Sequence, residues 1–196
     1  MTPDDLRRAL DVPARASSDF DLNPEVVLPA GRALRPAAVL VAVWDRPQGP
    51  QVLLTKRASH LQHHPGQIAF PGGKIDDGDS GPEAAALREA REEVGLASGL
   101  VQIFGRLPPH ETVTGFTVTP VLGHIRADFS AIPEAGEVDE VFAVPLVHLA
   151  DLSRYRVERR LWRGTWRQYY AVPYGPYYIW GATARILRGL AERLAA

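Results

Sequence analysis

GGKIDDGDSGPEAAALREAREEVGL, residues 72–96, is the stretch on which the fold turns. A Gly-rich loop leads into a helical pattern that carries Glu89, Glu92 and Glu93 within about one turn. At about 100° per residue, Glu89 and Glu93 stack and Glu92 lies beside them, so the carboxylates share a face. Like charges at these spacings cost roughly a few tenths of a kcal/mol per pair. A divalent cation turns that repulsion into a binding site, because Mg²⁺ and Ca²⁺ select carboxylate oxygens. An isolated patch of this kind is more often a solvated face, with Arg88 paired to Glu92 at i,i+4. The glycines in front of it shift the balance toward a site.

Ser80-Gly81-Pro82-Glu83 has the S-x-x-E pattern of a capping box, and Gly95 supplies a left-handed stop. Ala86, Leu87, Ala90 and Val94 fall on one arc, beside the acids rather than among them. The pattern predicts a helix that buries one face and presents its carboxylates on the next. Upstream, Ala37–Trp44 and Val52–Lys56 read as strands joined by turn residues at 45–50, a hairpin. Residues 57–73 read as a loop with a short strand near Ile68–Phe70. Downstream, Leu100–Leu107, Phe116–Ile125 and Glu140–Val144 read as strands and Pro145–Asp151 as a short helix. Tyr155–Trp162 and Trp166–Val172 flank Arg163-Gly164-Thr165 as a second hairpin. Thr2-Pro3-Asp4-Asp5 opens an N-terminal helix, and Ile179–Leu194 is a C-terminal amphipathic helix. Hairpins mixed with a few helices favour α+β, with a mixed sheet in a sandwich, over a doubly wound parallel fold.

The 196 residues suffice for one domain with a real core, here 31–196, preceded by a helix and arm over 1–30. A net charge of −1 argues against coating nucleic acid. With no Cys, disulfides, thiolate-held metal centres and a thiol nucleophile are excluded. No apolar run approaches the length of a membrane span, and MTPDDLRRAL lacks the cationic start and apolar stretch of a signal peptide. The expectation is a cytoplasmic protein.

Residues 73–96 resemble a Nudix box: a Gly, five residues, a Glu, seven residues, then REUxEExGU with U aliphatic. The second half is Arg88-Glu89-Ala90-Arg91-Glu92-Glu93-Val94-Gly95-Leu96, with Ala90 as the apolar U. The first half departs from the pattern, since Asp79 stands in place of Glu and one extra residue precedes Arg88. The extended spacing, together with Leu53-Leu54-Thr55-Lys56-Arg57-Ala58 and Phe70-Pro71-Gly72-Gly73, is similar to the coenzyme A diphosphatase branch. Within that upstream signature, Gln62 replaces an Arg. The resemblance implies a Nudix α/β/α sandwich and hydrolysis of the coenzyme A diphosphate to 3′,5′-ADP and 4′-phosphopantetheine, acyl-CoA included among possible substrates. It implies that Arg88 orients the acids, that Glu89, Glu92 and Glu93 hold Mg²⁺ or Mn²⁺, and that the Gly73 carbonyl adds a ligand. Arg57, Gln62, Gly66, Phe70 and Gly72 become the substrate-binding candidates.

The chemistry can also be argued from the residues. A diphosphate repels nucleophiles through its own charge, and bound cations relieve this while lowering the pKa of a coordinated water. A carboxylate free of the metals, or only loosely bound to them, takes the water's proton. Glu92 is the first choice for that base, with Glu137 and Glu140 as rivals. Arg57 suits a phosphate fork but is equally an ordinary strand-end arginine. His60, His63 and His64 read as surface loop histidines rather than ligands, lacking companions at ligand spacing. The arginines from 154 to 167 read as a solvated hairpin face, and the tyrosines from 169 to 178 either as ligand-pocket lining or as packing. The expected partner is a small-molecule diphosphate, with no nucleic acid and no membrane; a homodimer is left open. The two alternatives are a Nudix diphosphatase for another nucleoside diphosphate derivative, such as ADP-ribose, and a non-catalytic Nudix binding module.

Overall fold

The computed structural model describes residues 1–29, 31–162 and 164–196, the side chain of Trp162 excepted. Arg163, within the predicted turn of the second hairpin, lies outside the described residues. In chain order the elements are α1 (Pro3–Asp11), β1 (Ser17–Ser18), β2 (Arg35–Arg46), β3 (Gly49–Arg57), β4 (Ile68–Ala69), β5 (Gly72–Lys74) and α2 (Pro82–Val94). There follow β6 (Val101–Arg106), β7 (His110–Glu111), β8 (Phe116–Ile125), β9 (Val138–Pro145) and α3 (Leu146–Leu149). β10 (Arg156–Trp162), β11 (Thr165–Ala171) and α4 (Gly181–Leu194) complete the chain.

β2 is the spine of the main sheet. It runs parallel to β8 and antiparallel to β3 and β5, while β9 and β4 extend the sheet beyond β3. Its long apolar run reflects burial on both faces. Ala38, Leu40 and Ala42 pack with Ala85, Ala86, Ala90 and Val94 of α2. Val41 and Val43 pack on the other side with Leu6 of α1, Leu146 of α3, and Leu187 and Leu190 of α4. A mixed sheet between helices is the predicted α/β/α sandwich. β10 and β11 form a separate antiparallel ribbon. Among the described residues, no helix is long and apolar enough to cross a membrane.

Three local expectations need correction. Ser80 does not cap α2: the N-cap is Gly81, without a side-chain hydrogen bond. Pro82 fits the first helical position, where its missing N–H is not needed, and that places the cap one residue later than S-x-x-E requires. Glu83 is drawn instead into a two-point pair with Arg106, at 2.6 and 2.7 Å. The buried arc of α2 also reaches the acids, since Glu93 is only 5 % exposed. Finally, α4 begins at Gly181, because Ile179 and Trp180 are held as extended chain. Val172 N–H donates to the Ile179 carbonyl at 2.8 Å, and Trp180 bridges Ala171.

The N-terminal segment is sewn into the same core. Thr2 and Asp5 form a reciprocal capping box on α1, and Leu6 and Ala9 are buried. The buried Arg193 of α4 donates to the Ala9 carbonyl at 2.8 Å. β1 lies parallel to β7, where buried His110 joins Ser17 Oγ at 2.9 Å and Asp19 at 3.2 Å.

Candidate active site

Two short stretches of backbone meet the acid face of α2. β5 lies antiparallel on β2, with Val39 opposite Gly72 and Ala38 opposite Gly73. A Cβ at Gly72 would stand 2.4 Å from the Ala38 carbonyl oxygen, and one at Gly73 would stand 2.4 Å from Glu89 Oε1. Gly72, at φ 157° and blocked by backbone, therefore requires glycine for close approach, whereas at Gly73 the obstacle is the end of the Glu89 side chain. The Gly72 N–H donates to Glu93 Oε2 at 3.3 Å. The second stretch follows the stop at Gly95 (φ 72°). Ile132 N–H donates to the Val94 carbonyl and Glu134 N–H to the Glu93 carbonyl, at 3.0 and 2.9 Å. That loop delivers Glu137, whose carbonyl accepts from Ala58 N–H at 2.8 Å.

Arg88 organises the acids. Its Nε and Nη2 donate to the two oxygens of Asp79 at 3.1 and 2.9 Å. Nη1 reaches Glu89 Oε1 at 2.9 Å and Glu92 Oε2 at 3.1 Å, and Nη2 also donates to the Lys74 carbonyl at 3.1 Å. Such a fork fixes geometry as well as charge. Asp79 is thus a partner of Arg88 that the sequence reading missed, seeing only a departure from the Nudix pattern. Its signal was available, as an acid at the position from which a Glu would meet Arg88.

Burial and crowding act on these carboxyls together. Burial pushes Glu93 up to about 8, with Glu89 and Glu137 adding to the rise while the Gly72 N–H and Arg57 oppose it. Burial also raises Glu89, against the pull of Arg88. Asp79 is held below the usual carboxylate range by its hydrogen bonds from Arg88. Glu92 is the accessible member, its side chain 50 % exposed.

Arg57 sits at an irregularity in the β3–β9 pairing. Among the described residues its Nε is buried without a hydrogen-bond partner, an unmet donor that calls for an acceptor. The loop after it is closed by Arg57 N–H to the Gln67 carbonyl and Gly66 N–H to the Arg57 carbonyl, at 3.0 and 3.1 Å. Gly66 turns the chain with φ 68°, and Gln62 is exposed on the same loop. Phe70 departs from its predicted part: it is 4 % exposed within the core, so it anchors the Phe70-Pro71-Gly72-Gly73 turn and offers a ligand no surface. Glu140 also stands apart, accepting a short hydrogen bond from the Tyr177 hydroxyl.

Among the described residues, no three His, Cys, Asp or Glu groups converge as a ready-made cation cage. Arg88 holds oxygens of Glu89 and Glu92, and Glu93 is turned to the Gly72 N–H. The donor set still suits a hard divalent ion, being all oxygen, with two carboxyls whose charge is disfavoured without one. The Gly73 cradle, where a side chain would collide with Glu89, keeps backbone close to those donors.

A family model described as the NUDIX domain matches residues 34–168. The chain belongs to the NUDIX family. It is 46 % identical over 160 residues to the Nudix hydrolase NudL of Escherichia coli (strain K12), covering 82 % of this chain and 83 % of that one. The NudL of Enterobacter sp. (strain 638) is 48 % identical over the same shares. Both names give a Nudix hydrolase and no substrate. The crystal structure of RenU, a Nudix hydrolase from M. smegmatis, is 28 % identical with a TM-score of 0.51, covering 60 % of this chain and 74 % of that one. The NUDIX domain of Shewanella oneidensis NrtR, solved with ADP ribose, matches 87 % of this chain and 96 % of its own at a TM-score of 0.54. At 18 % identity, that likeness concerns the fold alone. The chain is a Nudix hydrolase, and Nudix hydrolases act on small molecules and generally use divalent metals such as Mg²⁺ or Mn²⁺.

Proposed function

We propose that this Nudix hydrolase cleaves the diphosphate of coenzyme A, and of acyl-CoA, to 3′,5′-ADP and 4′-phosphopantetheine with Mg²⁺ or Mn²⁺. The observation that carries the reading is the junction between the upstream run and the box. Gly72 and Gly73, which end that run, meet Glu93 and Glu89, and Arg57, within it, brings a buried, unmet Nε close enough to Glu93 to lower its pKa. That junction supports reading the segment, which resembles the coenzyme A diphosphatase branch, as part of the acid site.

Glu89, Glu93 and Glu92, with the Gly73 carbonyl, are the groups that would hold the metal. When bound, the metal neutralises diphosphate charge and makes a coordinated water acidic enough to deprotonate near neutral pH. Arg88 fixes the carboxylates before substrate arrives, which removes a reorganisation cost from the reaction. Glu92, exposed and only loosely engaged by the metal, accepts the proton of the attacking water, with Glu137 as the rival base. Arg57 supplies a guanidinium donor to a phosphate oxygen. Gln62, on the same loop, donates hydrogen bonds without adding charge.

A second reading, a diphosphatase for another nucleoside diphosphate such as ADP-ribose, is favoured by one observation. Gln62 replaces the second arginine of the upstream signature on an exposed loop, which removes a charge for one end of a coenzyme A-like ligand. A panel of coenzyme A, ADP-ribose, NADH and dGTP with Mg²⁺, ranked by kcat/KM, decides between them. Coenzyme A is expected at the top; a leading ADP-ribose would replace the first reading with the second.

A further inference from the structure

The ribbon β10–β11 and the residues before α4 form a group that the reaction chemistry does not use. The Trp180 ring lies 5.0 Å from Tyr169 and 6.5 Å from Tyr178, centroid to centroid. Tyr178 is 40 % exposed. The Arg160 guanidinium stands 5.9 Å from the centroid of Trp180. Arg160 is exposed and has no carboxylate partner among the described residues. In the ribbon register it faces Arg167, while Glu158 faces Tyr169. The nearby carboxylate, Glu158, accepts a short hydrogen bond from the Tyr178 hydroxyl.

This group adjoins the loop that leaves Arg57. Gln67 Nε2 would stand 3.8 Å from a Cβ at Gly181, the residue after Trp180. Thr183 Oγ1 donates to the Ile68 carbonyl at 3.0 Å. The loop of residues 57–67 therefore has the acid site and Arg57 at one end and the Trp180 group beside the other. An aromatic face with a guanidinium that has no carboxylate partner among the described residues suits a nucleoside bearing a phosphate, since bases stack on aromatic rings and guanidinium groups fork phosphate oxygens.

We propose that Trp180 and Arg160 form the nucleoside subsite, with Trp180 offering its ring to the base and Arg160 binding a terminal phosphate on the ribose. The proposal rests on the coenzyme A reading for its ligand, whose adenosine end carries a 3′-phosphate. It makes Arg160 the residue that distinguishes coenzyme A from dephospho-CoA.

Calorimetric titration of the metal-free full-length protein with 3′,5′-ADP and with 5′-AMP tests this without turnover. The wild type is expected to bind 3′,5′-ADP about tenfold more tightly, the worth of one charge-assisted hydrogen bond. Arg160→Ala is expected to erase that preference, and Trp180→Leu to weaken both ligands. Equal binding of the two nucleotides by the wild type, or a preference that survives in Arg160→Ala, would overturn the proposal. In the kinetic arm, Arg160→Ala is expected to raise KM for coenzyme A about tenfold and to erase the preference for coenzyme A over dephospho-CoA. Wild-type protein that binds 3′,5′-ADP selectively but does not cleave coenzyme A would refute the substrate assignment and leave the subsite standing.

Discussion

Replacing Glu93 with Gln separates the cost of burying this carboxylate from its use. Glu93 is 5 % exposed, and burial pushes it up to about 8. A folded-state pKa above the unfolded value means that the native state binds the extra proton. The apo protein is therefore favoured below the ordinary carboxylate range and loses stability as pH rises toward about 8. Each pKa unit is worth about 1.4 kcal/mol, so the apo fold carries a penalty of about 3–5 kcal/mol above about pH 8. Gln is isosteric, never charges, and can still accept from the Gly72 N–H. In EDTA, Glu93→Gln should match the wild type near pH 4.5 and exceed it increasingly toward pH 8. For a chain of this size, about 2–4 °C per kcal/mol makes the difference about 10 °C in Tm. Added Mg²⁺ should raise the wild-type Tm and leave the variant's almost unmoved. Turnover should fall by about a hundredfold or more, because cation-borne charge stabilisation is worth several kcal/mol and 1.4 kcal/mol is tenfold in rate. A variant less stable than wild type at pH 8 in EDTA would refute the reasoning, since the carboxylate would then be contributing stability in its charged form.

Arg88→Lys keeps the charge but cannot hold Asp79, Glu89 and Glu92 together. It should lower kcat by about tenfold or more, with Tm reduced by a few degrees; kcat within a factor of two would show that the fork is dispensable. Gly73→Ala drives a methyl against the movable end of the Glu89 side chain and should displace that carboxylate, with loss of most Mg²⁺-dependent activity in a turnover assay and little change in urea unfolding. Leu6→Ala removes a 2 % exposed side chain from the core beneath α4, with an expected loss of about 2–5 kcal/mol in urea unfolding. A loss below about 1 kcal/mol would mean that the N-terminal helix is only loosely docked.

The elements of the sandwich were readable because each carried its period or its punctuation. β2 shows as an unbroken apolar run, α4 as an amphipathic stripe, and the end of α2 as Gly95. What escaped was set by contacts distant in sequence. Nothing local to Ser80 reveals that Arg106 takes Glu83, although Pro82, as a residue of the first helical position, was a local signal for the later cap. Helical spacing placed Glu93 on the acid face, but its burial depends on β5 folding back over α2. Phe70 looked like part of a binding signature because its neighbours are, yet a large apolar ring next to two glycines is also what a turn uses to anchor itself in a core. The acid cluster was legible as residue types at fixed spacing, and the bonds that arrange it were not.

The departure at Asp79 shows how two irregularities in the Nudix pattern can be one adjustment. Asp is a methylene shorter than Glu, and one extra residue separates this position from Arg88. The carboxylate nevertheless meets both Nε and Nη2 of Arg88 and also accepts from Asp76 N–H at 2.9 Å. Its side chain is 7 % exposed, so the space around it is nearly filled. If the longer loop and the shorter acid compensate for each other, restoring the family's Glu is harmful. Asp79→Glu must house a methylene in a closed site or push Arg88 from the acids, at about 1–3 kcal/mol, and kcat should fall with stability. Deleting Gly81 alone should be damaging too, since it leaves the short acid without its matching loop. Combining the two changes should recover part of both losses, a coupling that a double-mutant cycle measures directly. Strict additivity of the two would show that Asp79 and the extended loop are unrelated, and an Asp79→Glu enzyme as stable and active as wild type would remove the need for compensation.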